Sequence, residues 1–144
     1  MTAFIREIET RSSGALWCNG DWQVRQMRGK ESLSVHATGR AVDLSYRHLP
    51  AQQRGTANGR KQAVWWSRLL VINADLLGIE LILDYFPEPY GRGWRCDRRD
   101  WIRYEVPTLT GAPKGDWLHI EITPSMADDA AAVRRAFTEV VLPN

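Results

Sequence analysis

The chain has 144 residues, 25% of them charged and 44% hydrophobic, which suits one globular domain with one buried core. Its net charge of +2 is too small to argue for a nucleic-acid partner, and no nucleic-acid reading element is present. No apolar run approaches the ~20 residues that cross a bilayer, so membrane insertion is not expected.

Met1–Thr10 carries Arg6, Glu7 and Glu9 where a signal peptide would need an unbroken apolar stretch. The expectation is a chain made in the cytoplasm that encodes no export route. Ala15–Cys18 and Trp22–Met27 read as short extended segments around a turn at Asn19-Gly20-Asp21. A polar connection, Arg28 to Ser32, leads into Ser34–Tyr46. There Arg40–Tyr46 alternates, with Val42, Leu44 and Tyr46 on one side and Ala41, Asp43 and Ser45 on the other. Gly39 suits a tight turn just before that strand.

After a polar loop, His48–Arg60, the spacing predicts one helix over Lys61–Leu77. Its inward face would be Val64, Trp65, Arg68, Leu69, Ile72 and Leu76, with Gly78 as its stop. Ile79–Tyr85 reads as a buried strand. From Pro87 to Gly115 a long irregular loop is expected, with at most an extended piece at Trp101–Val106. Its arginines (Arg92, Arg95, Arg98, Arg99, Arg103) read as a solvated group paired with Asp97, Asp100 and Glu105. Trp117–Thr123 alternates again, with Trp117, His119 and Glu121 on one side. Ser125–Asp128 resembles a capping box opening a last helix, Met126 to about Glu139. Strands and helices follow no βαβ rhythm, so the fold class is α+β.

Two cysteines, Cys18 and Cys96, make no disulfide framework and no closely spaced metal knuckle, so any metal must be held by His and carboxylate. Of the seven tryptophans, some must be core; Trp65, Trp66, Trp94, Trp101 and Trp117 are the candidates for lining a cleft. His36 and Asp43 are seven apart across the Gly39 turn, and His119 lies on a later strand. Two imidazoles and a carboxylate around Zn2+ leave a fourth tetrahedral position open, which is the catalytic arrangement. Such a metal lowers the pKa of water toward ~7 and polarises a carbonyl. Hydrolysis also needs a base; Asp116, three before His119, and Glu121, on the His119 face, compete for that role. Glu121 could instead hold an imidazole by its other N–H. A lone histidine is more often a surface or core residue than a ligand, so spacing alone leaves both readings open. No G-x-S-x-G element supports a serine hydrolase.

Ser34-Val35-His36-Ala37-Thr38-Gly39-Arg40-Ala41-Val42-Asp43 fills every fixed position of the pattern S-x-H-x-x-G-x-A-x-D, and Asp116-Trp117-Leu118-His119 matches a later [E/D]-x-x-H element. Together they resemble the zinc D-alanyl-D-alanine carboxypeptidase and L-alanyl-D-glutamate endopeptidase family, which includes bacteriophage endolysins. The resemblance spans about Trp17 to Thr123. It implies a Hedgehog/D-Ala-D-Ala-peptidase-like fold, a small antiparallel sheet flanked by helices, forming one catalytic domain over residues 1–144. It implies His36, Asp43 and His119 as zinc ligands, Asp116 as general base and Ser34 as a hydroxyl that orients substrate or braces the loop. It also implies an upstream arginine that steadies substrate, for which Arg25 and Arg28 both qualify. Many relatives have a histidine where this chain has Trp117, a departure that would reshape a substrate wall. The function implied is cleavage of peptidoglycan stem peptides by a monomer, brought to the wall by a separate releasing protein or as part of a phage particle. The other reading is a non-catalytic wall-binding or phage structural module that kept the fold; it would be marked by a lost ligand or base, and none is lost.

Overall fold

The computed structural model describes residues 1–20 and 35–143. The Trp22–Met27 segment and the candidates Arg25, Arg28 and Ser34 lie outside them. Six strands form one antiparallel sheet: β1 (Trp17–Gly20), β2 (Ala41–Ser45), β3 (Ile79–Asp84), β4 (Arg92–Arg95), β5 (Asp100–Arg103) and β6 (Trp117–Ile122). Their order across the sheet is β1-β2-β6-β3-β4-β5. Five helices accompany them among the described residues: α1 (Thr2–Arg11), α2 (Gly59–Ile72), α3 (Ala74–Leu77), α4 (Pro124–Asp128) and α5 (Ala130–Thr138). The class is α+β, with a small antiparallel sheet and helices.

The alternation of β2 and β6 separates two faces of the sheet. Val42 is paired with Ile120, and Ile120 with Ile82. All three are fully buried, and they join Phe4, Ile8, Trp66, Leu70, Val133 and Phe137 from the helices in one core. Each such side chain contributes about 1.5–3 kcal/mol by leaving water. One residue along each strand, the neighbouring row is Asp43, His119 and Leu83, which the pleat turns to the opposite face. The sheet thus has an apolar side held by helices and a side that carries the polar candidates.

Several expectations are corrected. Thr2–Arg11, for which no element was expected, forms α1, whose Phe4, Ile5 and Ile8 face inward at helical spacing, with Phe4 edge-on to Phe137 at 5.6 Å. Asn19 and Gly20 are strand residues, not a turn: β1 runs to Gly20, with a register irregularity between Cys18 and Gly20. The predicted helix 61–77 is two helices. Asn73 interrupts it, its amide donating to the Leu69 and Val141 carbonyls at 2.8 Å each. Gly78 does stop the second helix, with φ of 63° in the left-handed region.

The inward face of α2 is also turned from the one expected. Ala63, Trp66, Ser67 and Leu70 are buried with Leu69, whereas Ile72 is 55% exposed. The fully buried Asp84 explains this, because its charge needs donors: Ser67 Oγ donates at 3.2 Å and Arg92 Nε at 3.0 Å. That need draws Ser67, and Trp66 beside it, inward.

The expected loop 87–115 contains the β4–β5 hairpin. Its arginines find other partners than those read from sequence: Arg92 pairs with Asp84 and lies 3.8 Å over the Trp101 ring, and Arg99 pairs with Asp75. Arg95 does pair with Asp97. The last helix is likewise divided. Thr123, not Ser125, caps α4 by accepting from Met126 N, and Asp129 caps α5 by accepting from Ala131 N and Ala132 N at 2.9 Å each. Cys18 and Cys96 are not joined.

Candidate metal centre

The site is assembled at the centre of the sheet. Asp43 on β2 faces His119 on β6 as a direct register pair, so their side chains emerge together on the polar face. His36 arrives from a 3-10 turn, Val35–Thr38, just before β2. Gly39 makes the reversal: its N–H donates to the His36 carbonyl at 3.1 Å, and its φ of 69° is one that a side chain would disfavour. Arg40 braces this turn. Its guanidinium donates to Glu80 at 2.7 Å, to the Ile122 carbonyl at 3.3 Å and to Thr38 Oγ1 at 3.3 Å.

Three potential ligand atoms converge there. His36 Nε2 and His119 Nδ1 are 3.2 Å apart, His119 Nδ1 is 2.9 Å from Asp43 Oδ1, and His36 Nε2 is 3.5 Å from that same oxygen. A tetrahedral zinc with bonds of about 2.0–2.1 Å keeps its ligand atoms about 3.3 Å apart. The three separations bracket that edge, so the donor set fits a small divalent cation in both chemistry and spacing. Among the described residues it is the one His/Cys/carboxylate group so arranged, and it includes neither Asp116 nor Glu121. The third histidine, His48, is exposed and outside it.

Glu121 Oε1 lies 3.1 Å from His119 Nε2, the ring nitrogen turned away from Asp43. A carboxylate in that place fixes the ring's orientation and raises its basicity. Burial pushes the His119 pKa down, but hydrogen bonds and charges from Asp43 and Glu121 outweigh it and raise the value to about 9. Burial pushes Asp43 up, yet hydrogen bonds and charges from His119 and His36 bring it down to about 2.

Beside it opens a cavity of about 300 Å³, lined at one end by Asp43 and His119 and elsewhere by Asn19, Leu83, Tyr85, Leu109, Thr110 and Trp117. A larger hollow of about 760 Å³, lined by Val64, Phe86 and Trp101 among others, has no converging ligand atoms. Trp117 is part of the site-side wall, its ring 5.0 Å from that of Tyr85 in an edge-on contact. Tyr85 was not among the sequence candidates. Its hydroxyl donates to the Thr110 carbonyl, and burial raises its pKa above the ordinary tyrosine value. The available signal was period two: Tyr85 is two residues beyond Leu83, the register partner of His119.

Asp116 is held by Arg47 in a two-pronged ion pair, Nε to Oδ2 at 2.6 Å and Nη2 to Oδ1 at 2.8 Å. Arg47 is another residue absent from the sequence candidates. No family model, curated protein or solved structure matches the chain.

Proposed function

We propose that the chain is a zinc peptidase that cleaves amide bonds in peptidoglycan stem peptides, on a Hedgehog/D-Ala-D-Ala-peptidase-like fold. The observation that carries the reading is the convergence of His36, Asp43 and His119 at tetrahedral spacing beside a cavity, with all three at the fixed positions of the motifs. His36 Nε2, His119 Nδ1 and an Asp43 oxygen would hold the ion. Zinc bound there supplies Lewis acidity, polarising a carbonyl and making water acidic enough to deprotonate near neutral pH.

The remaining tasks fall to the protein. Asp116 takes the proton of the attacking water and delivers it to the departing amine, so that the amide breaks into a carboxylate and an amine. Glu121 keeps the His119 ring turned toward the ion. Leu83, Tyr85, Leu109 and Trp117 line the cavity and offer apolar surface against which a short side chain flanking the scissile bond can rest. The partner is the stem peptide, the working unit is a monomer, and delivery to the wall falls to a phage particle or a separate releasing protein.

Elemental analysis should find about one zinc per chain. Mass spectrometry of digested peptidoglycan should then find released peptides whose masses identify an L-Ala-D-Glu or a D-Ala-D-Ala cut. Asp116→Ala should bind zinc and release nothing; full activity in that variant would transfer the base role to Glu121. Zinc without any released peptide from the wild-type chain would favour the non-catalytic wall-binding module.

A further inference from the structure

We infer that Arg47 is a positioning residue for this reaction: it fixes the Asp116 carboxylate from just beyond the end of the strand that also supplies the metal ligand Asp43. The inference rests on the peptidase reading and on Asp116 as its base.

Asp116 is held at both its main chain and its side chain by three consecutive residues. Its carbonyl accepts from Tyr46 N at 3.0 Å and from Ser45 Oγ at 3.2 Å. Ser45 Oγ in turn accepts from Arg47 N at 3.1 Å. The guanidinium then engages each carboxylate oxygen once, at 2.6 and 2.8 Å, which sets the carboxylate plane as well as its place. Arginine can do this because its donors form a rigid fork; a lysine ammonium offers a single point. The second lone pair of each oxygen stays open, so the carboxylate can still accept a proton while clamped.

Arg47 is itself anchored. Its carbonyl accepts from Trp17 Nε1 at 3.0 Å, and Gly55 passes so close that a Cβ there would lie 2.0 Å from that oxygen. Arg47 lies two residues beyond the end of β2, which carries Asp43, so one stretch of chain supplies both the ligand and the clamp on the base. The pair is nevertheless exposed, with 46% of the Arg47 side chain and 33% of the Asp116 side chain accessible. Exposed ion pairs contribute little to stability. Geometry for the proton transfer is the property this one controls.

The test compares the zinc-loaded wild-type chain, Arg47→Ala and Arg47→Lys on one soluble stem peptide. In Arg47→Ala, kcat should fall about 100-fold, the scale of misplacing a reacting group by an ångström. KM, zinc content and melting temperature should stay near wild type. Arg47→Lys should recover part of kcat, and so should millimolar guanidinium added to Arg47→Ala. Wild-type cleavage with an unchanged kcat in Arg47→Ala would overturn the inference alone. So would a rise confined to KM, which would make Arg47 a substrate-binding residue, or a kcat loss that neither lysine nor guanidinium repairs. A wild-type chain that cleaves no peptide would overturn the peptidase reading, and this inference with it.

Discussion

His119 uses both ring nitrogens: Nδ1 faces Asp43 at 2.9 Å and Nε2 faces Glu121 at 3.1 Å. Without metal this makes folding stability depend on pH in a defined direction. His119 is raised from 6.5 to about 9 in the fold, so its contribution is complete below 6.5 and is lost as pH rises through 9. Asp43 is lowered from 3.8 to about 2, so its contribution is complete above 3.8 and is lost as pH falls through 2. The metal-free chain should be most stable between 3.8 and 6.5 as far as this cluster is concerned. From 6.5 toward 9 the folded state holds one more proton than the unfolded state, and stability should decline by about 1 kcal/mol per pH unit. Urea titrations of metal-free protein across that range would measure the slope. A flat profile, unaltered by Glu121→Gln, would mean that His119 is not held as an imidazolium.

At the level of elements, the buried Asn73 decides where one helix ends and the next begins. Its side chain bridges α2 to the C-terminal segment, donating to the Leu69 and Val141 carbonyls and accepting from Val141 N at 2.7 Å. Asn73→Ala leaves these groups to be satisfied otherwise and should cost about 1–3 kcal/mol. A lower urea midpoint with an unchanged slope would register that loss; an unchanged midpoint would show that Val141 is not tethered this way. Position 73 also illustrates what local pattern can and cannot tell. Apolar spacing announced a helix from 61 onward but could not announce a break set by contact with residue 141. Alternation located β2 and β6 because one face of each is wholly apolar. β4 escaped, since Arg92-Gly93-Trp94-Arg95 lacks that alternation and owes its strand form to pairing with β3, whereas β5 overlaps the extended piece read at Trp101–Val106. At the site, the convergence of His36, Asp43 and His119 was legible through the motifs that hold them, while spacing alone left it open. Tyr85 and Arg47 were not legible, because each lies just past a strand end and only the folded chain brings Tyr85 to the cavity and Arg47 to Asp116.

Across the whole molecule, the three candidate ligands come from separate stretches of the chain. Asp43 is on β2, His119 on β6, and His36 on the turn that leads into β2. An ion held by all three would cross-link the centre of the sheet and would bind the folded chain far better than the unfolded one, in which the ligands are dispersed. Free zinc at 100 times its Kd would then add about 2.7 kcal/mol to folding stability. For a domain of this size that is a rise of about 5–10 °C in Tm. Differential scanning calorimetry with and without zinc would measure it. A strong chelator should reverse the rise, and magnesium, which prefers six oxygen ligands, should not produce it. Asp43→Asn keeps the shape of the side chain but removes its charge, and should abolish most of the zinc-dependent rise. A rise of full size in that variant would mean that zinc binds elsewhere, and no rise in the wild-type chain would remove the metal from the site altogether. The calorimetry needs no substrate, so it tests the metal centre independently of the bond the protein cuts.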